Sequence, residues 1–442
     1  MDQTLLTRAI ARLKNDSGWL YDLADRLWNS PELGFFEFKT AEILISELKA
    51  LGLSPRTGIA RTGLWAELGR KSDPAVMLLA DMDALPTQAA PGGVAHSCGH
   101  HAQMAIMLAA FRALALTQAA DALGLRIIFA GSPAEEYVDL GRRLELRAKG
   151  EISYLSGKQE MIRLGFFSDP CLVLKYHSMG DSPERAATVN GTLNGFMAKR
   201  AVFTGRASHA GAHPEKGVNA LSAASLALQA IHAQRETFAD EDHIRVHPIL
   251  TEGGAVVNSV PSRAVVETYV RGASHGAVLA AAAKVDRALR AGALALGAAL
   301  EIENTPGYQA FKPDPALGDA LARAAAAVVD RTSIDFKDRS YASDDIGDVA
   351  CVQPTCQLGF SGFCGTIHSS DFAAKEPERA YMAPAEIILR TVLELGADGA
   401  ASARKILSGF QPRFSLPDYL ASLDRMFSSP SYPGEALEEQ GR

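Results

Sequence analysis

Ala75-Val-Met-Leu-Leu-Ala80-Asp81-Met-Asp83 is the stretch from which the fold can be read. Six apolar residues run without alternation and stop at two aspartates. This is the pattern of a buried strand with carboxylates at the edge of its sheet. Residues from His100 to Leu114 read as a helix, and Leu125-Arg-Ile-Ile-Phe-Ala130 as a second buried strand. Cys171-Leu-Val-Leu-Lys-Tyr176 is a third. Strands alternating with helices predict an α/β layer on a mixed, largely parallel sheet.

Outward from this centre, Leu5, Leu6, Ile10, Leu13, Leu20, Leu23 and Leu27 lie at helical spacing, and Pro31 interrupts that helix. A second helix is predicted from Thr40, as N-cap, to about Gly52. After about Ala187 the character changes. A strand at 194–204, a helix at 217–234, strands at 244–250 and 264–270, a helix at 277–295 and a short strand at 299–303 follow in turn. That β-α-β-β-α-β order is the ferredoxin-like pattern of a small α+β domain inserted into the first. The α/β pattern resumes with a helix at 316–329. The division predicted is 1–187 and 305–442 for the first domain, with a C-terminal tail, and 188–304 for the insert. The closing SYPGEALEEQGR is expected to fray.

Composition narrows the function. The 442 residues hold 44 Lys and Arg against 51 Asp and Glu, a net charge of −7. An acidic balance without a basic block argues against nucleic acid as a partner. Hydrophobic residues at 47% and charged residues at 21% suit a globular protein and exclude a disordered chain, a collagen or a simple coiled coil. No stretch supplies the ~20 uncharged apolar residues of a membrane span. The Ala-rich run 277–300 is broken by Lys284, Asp286, Arg287 and Arg290. The N-terminus lacks the separate basic and apolar regions of an export signal, so a cytoplasmic address is expected. Five cysteines, odd in number and without a CxxC pair, suit that address. Cys171, Cys351, Cys356 and Cys364 read as small buried hydrophobes or inert thiols. Cys98 differs, because His96, His100 and His101 surround it.

Five segments could carry chemistry, and each has a bland alternative. Asp81 and Asp83 end a strand, where most carboxylates are simply solvated. His96-Ser-Cys98-Gly-His100-His101 precedes a helix. A Cys and a His two apart in an irregular turn can face one ion, or pack as a thiol beside surface histidines. Glu135-Glu136 follows a strand, and adjacent glutamates are common on surfaces. His177 ends another strand and His368 lies in Thr366-Ile-His-Ser-Ser-Asp371, and a lone histidine is more often structural than a ligand. Read together, Cys98, His100, Glu136, His177 and His368 form a donor set suited to two divalent first-row ions, with Glu135 as the spare carboxylate.

These residues resemble the dinuclear metallopeptidases of the aminoacylase and carboxypeptidase type. Within it they resemble the branch of indole-acetyl-amino-acid hydrolases, hippurate hydrolases and p-aminobenzoyl-glutamate hydrolase subunits, and are nearest the last of these. ADMDALP, AHSCGH, PAEE, the His177 strand end, GRASHAGAHPEKGVNAL, GGAVVNSVP, SDDIGDV and GTIHSSDF carry the resemblance, in that order, from Pro31 to about Leu393. It implies a hydrolase-like catalytic domain with a lid and dimerisation domain, working as a homodimer on small N-acyl amino acids. Cys98 would bridge two divalent ions, zinc or manganese first, cobalt or nickel next. His100 and His177 would complete one site, Glu136 and His368 the other. Glu135 would be the general base and then the acid. Asp81 and Asp83 would orient ligands. His209 would polarise the scissile carbonyl from across the dimer, and Asn258 and Arg271 would hold the substrate carboxylate. His213 is left open between ligand-facing and exposed loop.

Two departures are visible. Many relatives carry Asp at the position of His101 and His at that of Gln103, which bears on pocket shape. The segment 139–167 reads as an insertion beside the site that would cover an acyl pocket. The expected reaction is amide hydrolysis of N-acyl amino acids. Aroyl and indole-acetyl groups are candidates for the acyl part, and an acidic amino acid is the leaving group to test first. Competing readings are a dipeptidase or carboxypeptidase and a non-catalytic binding protein on this fold. Serine hydrolysis fits poorly, because Gly359-Phe-Ser-Gly-Phe363 falls short of G-x-S-x-G.

Overall fold

The computed structural model describes residues 3–87, 91–180, 182, 184–336 and 338–434. The chain forms two compact units. The first comprises Met1–Thr192, Lys312–Arg339 and Asp348–Leu416. The second comprises Leu193–Phe311, Ser340–Gly347 and the segment from Pro417. Segments 340–347 and 417–434 thus belong with the insert, whereas the sequence pattern places everything after 305 in the first domain.

Among the described residues of the first unit, eight strands make one sheet, in the spatial order 56–59, 63–68, 126–132, 75–81, 171–178, 355–360, 187–189 and 334–335. Its centre is parallel. Ala75–Asp81 pairs in parallel with Arg126–Ser132 on one side and Cys171–Ser178 on the other. Thr355–Phe360 continues in parallel with Cys171–Ser178. The outer strand Gly63–Leu68 joins antiparallel, so the sheet is mixed. Ala75–Asp81 is buried throughout, which explains its uninterrupted apolar run. The parallel register brings Asp81 level with Ser132, and Gly359 level with His177. Strand ends from remote parts of the sequence therefore share one edge.

Helix His100–Leu116 packs against the strands Ala75–Asp81 and Cys171–Ser178. Helices Gln3–Asn15, Ser17–Trp28 and Ala383–Leu395 pack on it as well. It is buried on nearly every face, as its lack of a polar stripe requires. The predicted first helix is two. They part near Asp16, whose carboxylate receives Arg12 and Arg112. The next helix, Phe38–Ala50, starts two residues before Thr40. The N–H groups of Lys39 and Thr40, unpaired within the helix, are capped from outside by the Glu32 carboxylate, a long-range cap that local spacing does not reveal.

The second unit has the β-α-β-β-α-β order, with strands Gly195–Thr204, Arg245–Glu252, Arg263–Gly272 and Ala299–Pro306 all antiparallel. Helices Ala220–Ala233 and His275–Leu296 cover one face through an apolar core. Ser431–Tyr432 adds a fifth, short strand on Ala299–Pro306. The start of the tail is therefore ordered where fraying was expected. The rest of it, 435–442, lies outside the described residues. Arg290 sits over the Tyr432 ring at 4.6 Å, a cation–π contact that helps hold the strand. No described helix is long and apolar enough to cross a membrane.

Lys199, 4% exposed, meets Asp286 and Asn304 at 2.7 Å each. Asp286 is only half-buried, so stranding Lys199 costs less than breaking a fully buried pair: Asp286→Ala should cost about 1–3 kcal/mol and Lys199→Met less. Urea unfolding of the two variants checks the order.

Candidate metal centre

The candidate donors come from four segments at one edge of the first unit's sheet: the turn into helix His100–Leu116, the loop after strand Arg126–Ser132, the end of strand Cys171–Ser178 and the loop at His368. Gly99 has φ +84° and precedes helix His100–Leu116. A side chain there would also collide with Ser178 Oγ, so only glycine lets the Cys98 turn approach the strand end. Ser178 Oγ donates to the Cys98 carbonyl at 2.9 Å, joining the two loops. Cys98 Sγ lies 3.5 Å from His177 Nε2. His177 Nδ1 donates to the Ser178 carbonyl at 2.8 Å, which turns Nε2 toward the thiol.

Asp83 organises the opposite side. Its two carboxylate oxygens accept the backbone N–H groups of Glu135 at 3.1 Å and Glu136 at 2.9 Å. Its carbonyl accepts His100 Nδ1 at 2.8 Å. His100 Nε2 is thereby aimed at the centre, 3.7 Å from Glu135 Oε2. Glu136 Oε1 lies 3.4 Å from His368 Nε2. His368 has φ +71°, an unfavourable region for histidine, and its N–H is anchored to the Ser97 carbonyl at 2.8 Å.

Two donor triplets result. One ligand atom each from Cys98, His100 and His177 lies within 4.8 Å of the others, and the same holds for Cys98, Glu136 and His368. Cys98 is shared by both. Burial, then Glu136 and Glu135, push the Cys98 thiol well above its usual range. Burial opposes a charge on His100, but Asp83, Asp81 and Glu136 prevail and raise it to about 9. Burial likewise acts upward on Glu136, and His368 and His100 override it to hold the carboxyl below its usual range. His100 Nε2 and Glu136 Oε1 are buried and lack a hydrogen-bond partner among the described residues. Buried polar atoms left this way call for a partner. A thiol, imidazoles and carboxylates converging on one space fit divalent first-row cations.

The sequence profile of peptidase family M20/M25/M40 matches residues 77–394. The chain belongs to this family. It is 29% identical over 317 residues to the Xaa-Arg dipeptidase of Mus musculus, covering 68% of this chain and 66% of the relative. It is 29% identical over 254 residues to a p-aminobenzoyl-glutamate hydrolase component of Escherichia coli (strain K12), covering 54% of this chain and 47% of the relative. The match therefore spans about half to two thirds of these curated relatives' length. A Bacillus subtilis dinuclear metal-binding peptidase of the M20 family shares the fold, with a TM-score of 0.66, 19% identity, and coverage of 86% of this chain and 99% of that one. The family is one of peptidases, and a neighbour that shares the fold binds a dinuclear metal centre.

The remaining residues fall as follows. His101 and Gln103 are both buried. His101 packs edge-on to Trp28 at 4.7 Å between centroids, with Nε2 3.2 Å from Tyr381 Oη. Burial, then His96 and His100, push its pKa well down, so it packs as a neutral ring. Gln103 Oε1 accepts the Asp81 N–H at 3.1 Å. His209, Asn258 and Arg271 lie in the second unit. His209 is exposed, and its Nδ1 accepts the N–H groups of Gly211 at 3.2 Å and Ala212 at 3.0 Å, so Nε2 is its outward nitrogen. Asn258 is exposed, and its carbonyl accepts the Ala210 N–H at 2.9 Å, tying the two loops together. Arg271 lies against the rings of Phe196 and Tyr269 and donates to Ser343 Oγ at 2.6 Å. His213 is exposed, 3.4 Å from Glu215. Of the other cysteines, Cys171, Cys351 and Cys356 are buried and Cys364 half-buried, none of them in a disulfide.

Glu37, Arg143, Lys158 and Lys175 lie around the site and carry no signal of it in the sequence. Ala134 has φ +54° at the turn before Glu135. Glu37 accepts its N–H at 2.8 Å, and Arg143 donates to its carbonyl at 3.1 Å and also to the Glu136 carbonyl. Lys158 and Lys175 reach Asp81. Arg143 and Lys158 belong to the 139–167 insertion, expected over an acyl pocket. Its helices Leu140–Ala148 and Gly157–Arg163 bring cations to the Pro133–Glu136 turn and to Asp81. Only burial in space exposes these roles.

Burial and then Asp83 raise Glu37 to about 8, against the opposing bonds from Thr62 and Ala134. The folded protein thus keeps a proton that the unfolded chain sheds above its ordinary value of 4.5. This contribution is complete below that value and is lost as pH rises through about 8. Glu37→Gln should therefore gain stability relative to the native chain from pH 5 to pH 8, by about 1–3 kcal/mol if the amide reproduces both bonds. Thermal unfolding across that range reads it; a flat difference would refute the neutral carboxyl.

Proposed function

We propose that the chain hydrolyses the amide bond of N-acyl amino acids, using two divalent cations held by Cys98, His100, Glu136, His177 and His368. The observation that carries this reading is a carboxylate beside the two triplets that belongs to neither: Glu135 Oε2 lies 3.7 Å from His100 Nε2 while Glu136 faces His368. Zinc or manganese suits the mixed sulfur, nitrogen and oxygen set, with cobalt and nickel as alternatives. Bound there, the cations would make water acidic enough to ionise near neutrality and polarise a carbonyl.

The chain's own groups do the rest. Glu135 takes the proton of the attacking water at its carboxylate and returns it to the departing nitrogen. Asp83 holds the backbone of Glu135 and Glu136 so that one carboxylate stays outside the two triplets. We assign His209 Nε2 to the developing oxyanion, and Arg271 and Asn258 to the substrate carboxylate. The p-aminobenzoyl-glutamate hydrolase relative supports an acidic leaving amino acid. The Xaa-Arg dipeptidase relative supports a dipeptide instead, as the second reading. Turnover of acetyl-, benzoyl- and indole-acetyl-amino acids, aminobenzoyl-glutamate and Xaa-Arg dipeptides by the metal-reconstituted protein separates the two.

Glu135→Gln should retain its metal and lose roughly 10²–10⁴-fold in turnover. Cys98→Ala should lose metal, as read by elemental analysis. Undiminished turnover in the first, or full metal content in the second, would falsify the respective assignment.

We also propose a homodimer through the second unit. Arg245–Glu252 is the edge strand of its sheet, and Ile249 is 52% exposed, an invitation to strand pairing. Ile249→Lys should shift the native chain from dimer to monomer in light scattering; a monomer before mutation sinks the idea.

A further inference from the structure

Lys158 and Lys175 are both fully buried, and both end on the fully buried Asp81. Lysine is almost never buried this way unless paired. Lys175 comes from the strand Cys171–Ser178, two residues before His177, with its Nζ 2.6 Å from Asp81 Oδ2. Lys158 comes from helix Gly157–Arg163 and contacts Asp81 Oδ1. That helix is seated closely: a Cβ on Gly157 would collide with the Pro133 carbonyl. The insertion thus places a buried cation on one carboxylate that a strand lysine already reaches.

Asp81 also belongs to a further candidate donor set. One ligand atom each from Asp81, His100 and Glu135 lies within 4.8 Å of the others. A cation settling on that set would take His100 from the Cys98–His100–His177 triplet and would occupy Glu135, the carboxylate needed as base. The choice between the donor sets is an electrostatic one. We propose that Lys158 and Lys175 are positioning residues that exclude Asp81 from cation coordination and so leave Glu135 available as base. Each ammonium group holds one carboxylate oxygen and repels a further cation at that point. This role also accounts for a charged cluster where apolar side chains of similar volume would be no less stable. The inference rests on the donor assignment made above.

The test is Mn²⁺ binding by the full chain, measured by calorimetry, with elemental analysis of the loaded protein. Lys158→Met and Lys175→Met each release one oxygen of Asp81. Each should bind Mn²⁺ about tenfold more tightly, or take an additional equivalent, with kcat lowered and KM little changed. Lys175→Arg, which keeps the charge, should bind Mn²⁺ with the affinity and stoichiometry of the native chain. The gain should vanish when Asp81→Asn is combined with either Met variant. If the Met variants do not fold, Lys158→Gln and Lys175→Gln remove the charge while leaving a hydrogen bond to Asp81. Thermal unfolding with and without Mn²⁺ separates a structural role, which lowers both states alike, from the proposed one, in which Mn²⁺ stabilises the variants more than the native chain. Native-level or weaker binding in the lysine variants overturns the proposal, as does an equal gain in the Asp81→Asn background. A native chain that binds no Mn²⁺, Zn²⁺, Co²⁺ or Ni²⁺ would instead refute the donor assignment itself.

Discussion

Asp83 receives three hydrogen bonds that the site depends on. Its carboxylate accepts the N–H groups of Glu135 and Glu136, and its carbonyl accepts His100 Nδ1. One residue thereby fixes the loop after one strand, the start of a helix and the direction of an imidazole. Because both carboxylate oxygens are engaged by backbone, Asp83 orients donors without becoming one. Neighbouring carboxylates on a turn diverge, so holding their backbone determines which of them faces His368 and which faces His100.

Around that constraint the protein concentrates unfavourable features. Ala134 and His368 adopt positive φ, and Glu37 carries a buried carboxyl raised to about 8. Asp81 sits between two buried ammonium groups. Each would be a liability in an ordinary core. They persist because surrounding groups over-determine them: Glu37 and Arg143 on the turn, Ser97 on His368. The parallel sheet supplies the rigid base, since its register alone brings residues as distant as Asp81, Ser132 and His177 to one edge.

Beside the site, His101 is accommodated as a neutral ring among Trp28, Phe363 and Tyr381. Gln103 binds the Asp81 N–H through its amide oxygen. The 139–167 insertion is the larger novelty. It brings Arg143 to the Glu135 turn and Lys158 to Asp81, joining a segment that looks peripheral in sequence to the heart of the site.

The alternation of apolar strands and helices was legible in the residues, because buried parallel strands need uninterrupted apolar runs such as 75–80. Candidate donors could be nominated too, because Cys98-Gly-His100 precedes a helix and Glu135-Glu136 follows a strand. Local pattern carries no information about remote contacts, however. It could not show that Asp16 would divide the first helix, that Glu32 would cap the next, or that Ser431 and Tyr432 would join the second sheet. It also gave no sign of Glu37, Arg143, Lys158 and Lys175, since a charged residue in sequence looks the same whether solvated or buried against a carboxylate. Which oxygens and nitrogens face one another is set by packing between remote segments, and that only the tertiary structure decides.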